Sequence, residues 1–216
     1  MRLIAYKWIG PAFYEKLRYR YYQAFVKHAG YDDEYYQGYE AANGNAHDLF
    51  AKTVGAEFRP ETVVDVGCGN GAISAAFLRY GCREAHAFDG SAAAIEAARK
   101  RGLTNVTQLD LISTKEIPVA GDLTVCCEVA EHLPEKYAAH LCELLSKPSP
   151  ILVFTAAPPG QGGHLHVNLQ PQSWWIDLMK KYGMNHDEEA VLRVRAAYGG
   201  KMIRDYDANL MIFRRA

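Results

Sequence analysis

Apolar positions along the chain change their rhythm at Pro60. Before it they recur at helical spacing. Gly10-Pro11 is a helix start, with proline at the first helical position, where its missing N–H costs nothing. Phe13, Leu17, Tyr21, Ala24 and Phe25 share one face, and Gly30 stops the helix. A second helix is predicted from near Asn45, with Ala46, Leu49, Phe50 and Val54 on its apolar side. After Pro60 short β-branched runs take over. Residues 62–66 (TVVDV), 85–88, 105–109, 122–127 and 151–155 (ILVFT) are predicted strands. Helices are predicted between them over 71–80, 91–101 and 134–146. A loop rich in Gly, Pro, His and Asn fills 156–170, and helices over 171–182 and 188–198 follow. Asn209 to Phe213 is predicted as a last strand. Strands alternating with helices imply parallel βαβ units, hence an α/β, doubly wound sheet.

Composition narrows the class. The chain has 216 residues, of which 49% are hydrophobic and 23% charged, enough to bury one real core. A net charge of -1 argues against binding nucleic acid through the whole surface. Cys68, Cys82, Cys126, Cys127 and Cys142 form no CxxC pair, which reads as reduced thiols in a cytoplasmic protein. No apolar run is long enough to span a membrane, and Met1 to Tyr14 lacks the apolar block of a signal peptide. Nine of the 14 tyrosines fall within the first 39 residues, beside Lys16, Arg18, Arg20 and Lys27. That segment reads equally as a packed amphipathic helix, an aromatic lid or a dimer arm, so a homodimer is one assembly it allows.

The strongest chemical signal is VVDVGCGNG at 63–71. A strand runs into Gly67, Gly69 and Gly71 around Cys68, then into a helix. Glycines let the backbone turn sharply and approach a ligand, and the helix N-terminus offers free N–H groups. The spacing is GxGxG, one residue shorter than the dinucleotide fingerprint, with Asp65 two positions before the first glycine. Asp89, followed by Gly90 and Ser91, closes the second strand, 24 residues after Asp65. An acid there can accept both ribose hydroxyls. Asp110 with Leu111 closes the third strand, and Cys127 with Glu128 the fourth.

Together these motifs resemble class I S-adenosylmethionine (SAM)-dependent methyltransferases over about residues 30–216. The resemblance implies a Rossmann-like, seven-stranded, mostly parallel sheet with an N-terminal helical segment (1–58) ahead of the methyltransferase domain (59–216). It implies SAM as cofactor. Asp65 and the glycine turn would face the methionyl part, Asp89 the ribose, Asp110 and Leu111 the adenine, and Cys127 and Glu128 the sulfonium.

Residues 128–132 read EVAEH, placing Glu128, Glu131 and His132 at i, i+3 and i+4. Carboxylate and imidazole ligands suit magnesium, manganese, iron or cobalt. The ExxEH pattern resembles ubiquinone-biosynthesis O-methyltransferases and small-RNA terminal 2′-O-methyltransferases, which implies Glu128, Glu131 and His132 as metal ligands. The loop GQGGHLHVN at 160–168 brings His164 or His166 as a fourth. The alternative is metal-free: Glu128 and His132 line the pocket or act as acid and base, and His164 and His166 bind the acceptor. Residues 154–175 also resemble bacterial small-molecule methyltransferases with a PGQGG-H-N loop, which implies His166, Asn168, Trp174 and Trp175 on the substrate side. One of the two tryptophans is expected in the core. Three functions follow: methylation of a small-molecule hydroxyl or amine, modification of RNA, or non-catalytic SAM binding in a partner complex.

Overall fold

The computed structural model describes residues 45–163, 165–202 and 204–216. The expected helix between Gly10 and Gly30, and His164, lie outside them. The elements run α1 (Ala46–Phe58), β1 (Thr62–Val66), α2 (Ala72–Arg79), β2 (Glu84–Asp89), α3 (Ala92–Lys100), β3 (Val106–Gln108) and β4 (Leu123–Cys127). Two 3₁₀ turns follow, Ala130–His132 and Glu135–Tyr137. Then come α4 (Ala138–Leu145), β5 (Ile151–Thr155), α5 (Gln172–Lys180), β6 (Met184–His186), α6 (Glu188–Tyr198), α7 (Arg204–Ala208) and β7 (Met211–Arg215).

Seven strands form one sheet in the order β3-β2-β1-β4-β5-β7-β6. β1 to β5 are mutually parallel, while β7 runs antiparallel to both neighbours. The sheet is therefore the expected seven-stranded, mostly parallel one. Val63, Val64 and Val66 are all fully buried, because helices cover both faces; that is why β1 reads as a continuous β-branched run rather than an alternating one. One face packs Leu141, Leu144 and Leu145 of α4 with Trp175 and Met179 of α5. The other packs Phe50 and Val54 of α1 with Phe77 of α2 and Val194 of α6. The chain moves outward from β1 to β3, then returns beside β1 as β4. This reversal opens a crevice at the carboxyl ends of β1 and β4, where ligands bind in such folds. Among the described residues no helix is long and apolar enough to cross a membrane.

The structure adjusts three sequence expectations. The helix predicted over 134–146 begins at Ala138, because extended Pro134 accepts a 2.8 Å bond from Tyr137 N–H and closes a tighter turn first. The last strand lies two residues further on, since Arg215 Nη2 reaches the carbonyls of Ser146, Lys147 and Ser149 at 2.7, 2.8 and 3.0 Å and pulls the basic end into register. β6 and α7, three and five residues long, fall outside the predicted elements. β6 exists through its pairing with β7 (Met184 with Arg215, His186 with Phe213), not through its own propensity.

Two local features hold the first βα unit. Gly71 has φ 75°, and a Cβ there would overlap Leu103 Cδ1 and sit 3.0 Å from Ala98 Cβ of α3. Asp65, buried at the end of β1, accepts a 2.6 Å bond from Ser74 Oγ of α2. Burial raises its pKa to about 7; the Ser74 bond opposes the shift and the charge of Asp89 adds to it.

Gly71→Ala is expected to cost about 2–4 kcal/mol in urea denaturation, from the combined overlap and left-handed backbone. Asp65 gives a pH signature. Its folded pKa lies above the unfolded value of about 3.9, so the native state binds the extra proton. Its contribution is full below that unfolded value and lost as pH rises through about 7. Between pH 5 and 8 the ligand-free protein should therefore lose melting temperature relative to Asp65→Asn. Parallel melting curves over that range would contradict the assignment.

Candidate functional site

The site forms where the carboxyl ends of the strands meet. After β1 the chain passes through Gly67, Gly69 and Gly71 at φ 79°, 54° and 75°. This is backbone that only glycine adopts without strain. Gly67 N–H and Cys68 N–H both donate to Phe88 O, at 2.7 and 2.9 Å, stitching the turn to β2. Asp89 completes the stitch: its carboxylate accepts from Gly69 N–H at 2.9 Å and Ser91 N–H at 2.8 Å. Ser91 Oγ in turn caps α3 by accepting from Ala94 N–H at 3.3 Å, and Gly90 O accepts from Gln108 Nε2 at 3.0 Å. At the end of the third strand Asp110 folds its own turn, accepting from Ile112 N–H at 3.0 Å and Ser113 Oγ at 3.1 Å. Leu111 is buried beside it. The predicted cofactor residues are thus gathered along one edge, in strand order.

Gly67 has a further role that its spacing hides. A Cβ there would overlap Val129 Cγ2. The glycine leaves room for Val129, so the EVAEH turn after β4 packs directly on the turn after β1.

Glu128 opens that turn with φ 55°, in the left-handed region. Its N–H donates to Thr155 Oγ1 at 3.0 Å, and its Oε1 accepts from Asn209 Nδ2 at 3.3 Å. Ala130–His132 then makes a 3₁₀ turn, which rotates Glu131 inward. Glu131 is fully buried, and neither carboxylate oxygen has a hydrogen-bond partner. Burial and then the charge of Glu128 push its pKa well up. The carbonyl of Glu131 accepts from Val167 N–H at 2.8 Å and Asn168 N–H at 3.0 Å, which clasps the loop after β5 onto the turn. That clasp brings His166 to His132, ring centroids 5.0 Å apart and nearly perpendicular. Ligand atoms of Glu131, His132 and His166 all lie within 4.8 Å of one another. Gly163 closes over the His166 ring, where a Cβ would overlap it.

Of the proposed metal ligands, the structure gathers Glu131 and His132 with His166. Glu128 lies outside that cluster, its carboxyl between that of Glu131 and the Asn209 amide. Trp175 is fully buried against Phe154, and Trp174 is half-buried. Burial raises the thiol pKa of Cys68, Cys126 and Cys127, which disfavours the reactive thiolate. Sequence reasoning missed Gln161 and Asn209 as site residues. Asn209 Nδ2 also donates to Gln161 Oε1 at 3.1 Å, and Gln161 Nε2 to Asp205 at 3.0 Å. Gln161 lies in the PGQGG loop, whose histidines drew the attention, and the one sequence signal of Asn209 is an asparagine at the start of a predicted strand, which is too common to notice.

Comparison with known proteins agrees with this geometry. Residues 63–147 match the family described as a methyltransferase domain. A ubiquinone biosynthesis O-methyltransferase of Neisseria meningitidis is 28% identical over 120 residues, covering 52% of this chain and 50% of that protein. A ribosomal protein L11 methyltransferase of a Cyanothece strain is 29% identical over 120 residues, covering 53% and 40%. The chain thus spans about half the length, or less, of these curated relatives. Among solved structures, a sugar N-methyltransferase from Streptoalloteichus superposes with a TM-score of 0.64 at 15% identity, covering 85% of this chain and 92% of that one. A TehB-like methyltransferase from Corynebacterium glutamicum gives 0.63 at 16% identity, covering 85% and 97%. At such identities these structures establish the fold alone. The family match over the glycine turn and the EVAEH segment, with the curated relatives, supports a class I SAM-dependent methyltransferase domain in this chain.

Proposed function

We propose that the protein transfers the methyl group of SAM to a hydroxyl or amine of a small molecule, assisted by a divalent ion held by Glu131, His132 and His166. The observation that carries the ion is Glu131. A buried carboxylate with no donor is costly, and such groups are paired or bind metals. Two imidazoles at bonding range of the same point supply the complementary donors.

The cofactor edge suits SAM in the same way. Asp89 would exchange part of its loop bonds for the ribose hydroxyls. The glycine turn would receive the methionyl part, Asp110, Leu111 and the neighbouring amides the adenine, and Cys127 and Glu128 would flank the sulfonium. SAM supplies an electrophilic methyl group, and the ion supplies Lewis acidity that lowers an acceptor hydroxyl's pKa. What the chain itself contributes is alignment and exclusion of water. The Gly67–Val129 packing fixes the two turns relative to each other, and the clasp on the Glu131 carbonyl fixes the loop after β5. Support for a small acceptor comes from the near-neutral charge and from the O-methyltransferase relative. An RNA acceptor would require a basic surface that the composition does not favour.

Native mass spectrometry on protein purified without chelators tests the proposal, alongside labelled SAM offered to a panel of hydroxylated and amino metabolites. The expected spectrum carries SAM or its demethylated product plus one divalent ion. Glu131→Ala should keep the cofactor and lose the ion. Cofactor binding with no ion, after divalent ions have been supplied, would reject the metal and leave His132 or His166 as acid/base. A panel without any labelled product would reject the small-molecule acceptor. Separately, Asp89→Ala should weaken S-adenosylhomocysteine binding about 100-fold by calorimetry, the effect of losing two charge-assisted bonds. A change below about threefold would remove Asp89 from the cofactor site.

A further inference from the structure

The loop after β5 buries a polar residue in place of its apolar ones. Among the described residues from Pro158 to Pro171, only Asn168 is buried, at 2% exposure. Leu165, Val167 and Leu169 around it stay half-buried. The hydrophobic effect alone would favour the reverse. The backbone draws Asn168 in: its N–H donates to Glu131 O at 3.0 Å, beside Val167 N–H at 2.8 Å. The side-chain amide is then held in one orientation, because Asn168 Oδ1 accepts from Gln170 Nε2 at 3.2 Å. That leaves Nδ2, which is buried and donates to nothing among the described residues. A buried donor without an acceptor is costly, and such a group in a site is explained by the ligand that meets it. Asn168 stands on the clasp that joins this loop to the turn after β4, on the acceptor side of the cofactor edge.

We propose that Asn168 is a specificity-determining residue whose Nδ2 donates to the reacting atom of the acceptor, and that this atom is a hydroxyl oxygen and not an amine nitrogen. The proposal rests on the small-acceptor reading above and is independent of the ion. A hydroxyl oxygen has two lone pairs. One accepts the bond from Nδ2 while the other attacks the methyl group. An O–CH3 bond forms, the S–CH3 bond of SAM breaks with its electron pair left on sulfur, and the hydroxyl proton passes to water. An amine nitrogen has a single lone pair, so the same hydrogen bond would occupy the pair that must attack. An ammonium has none and would set its own N–H groups against Nδ2. Gln170 acts through Asn168: by holding Oδ1 it keeps the donor, and not the carbonyl, toward the acceptor.

Labelled SAM offered to the full chain with matched pairs of metabolites, each pair differing only in –OH against –NH2, tests this. Wild-type protein should label the hydroxyl members at least about 100-fold faster in kcat/KM than their amine partners. Asn168→Asp keeps the shape but replaces the donor with an acceptor. It should lower kcat/KM on the hydroxyl members about 100-fold and raise it on the amine members about tenfold. A merely structural role for Asn168 would lower both together. Gln170→Leu lets the amide turn, and should cut the hydroxyl preference about tenfold. S-adenosylhomocysteine binding and melting curves report whether each variant is folded, and Gln170→Leu decides the matter if Asn168→Asp does not fold. The proposal is overturned if wild-type protein labels the amine members as fast as the hydroxyl members, or if the folded variants keep the wild-type preference. Wild-type protein that labels neither member of any pair would reject the small-acceptor reading itself and this proposal with it, a result seen before any variant is made.

Discussion

The missing side chain at Gly67 is the constraint on which the site depends. The turn after β1 and the turn after β4 leave adjacent strands, and in this topology they must diverge to open a crevice. They diverge only as far as Val129 allows, because it occupies the volume a Cβ on Gly67 would take. The spacing between the cofactor edge and the Glu131–His132 turn is therefore set by van der Waals packing, which tolerates little deformation. Gly71 plays the matching part on the other side, against Leu103 and Ala98. Two of the three glycines thus serve the packing of one element on another. Ligand approach is a consequence of the path they impose.

Satisfied and unsatisfied polar groups divide the site. Asp89, Asp110 and Glu128 are acids whose oxygens already hold backbone or amide donors. They are pre-oriented, and a ligand that meets them replaces bonds of similar strength. Glu131 is different: the 3₁₀ turn buries its carboxyl with neither a donor nor access to solvent. Strain of this kind is retained at functional sites when the surrounding structure enforces it. Here the enforcement is visible, since two amides of the loop after β5 hold the Glu131 backbone carbonyl.

Much of this was legible in the sequence, for identifiable reasons. The core strands read clearly because a sheet covered on both faces favours near-continuous apolar runs such as ILVFT, and TVVDV is broken only by Asp65 near its end. The acids were legible because each stands at or just past a strand end, and the sheet order β3-β2-β1-β4 places them side by side as Asp110, Asp89, Asp65 and Glu128. The second half of the site was not, because its geometry is made by tertiary contact. His166 meets His132 through a loop with no regular period, and Asn209 meets Glu128 across 81 positions. β6 and α7 are too short to carry a pattern; pairing and packing, not propensity, sustain them. EVAEH showed which groups were present but not that Asn209 would reach Glu128.

The position of β7 has a consequence for how the molecule assembles. It is the last strand along the chain, yet it lies inside the sheet, between β5 and β6. Its pairing with β5 bridges sequence separations of more than fifty residues, and contacts of that range form late because their loop entropy is lost before they are rewarded. β1, β2 and β3 pair with nearer neighbours, about twenty residues apart, while β4 joins β1 across sixty. A folding chain can therefore pair β1 to β3 while β5 still presents an open edge and Asn209 is far from Glu128. A ligand that binds only the completed site would favour the docking of β4, β5 and β7 onto that first unit. Ligand supply during synthesis then becomes a determinant of yield.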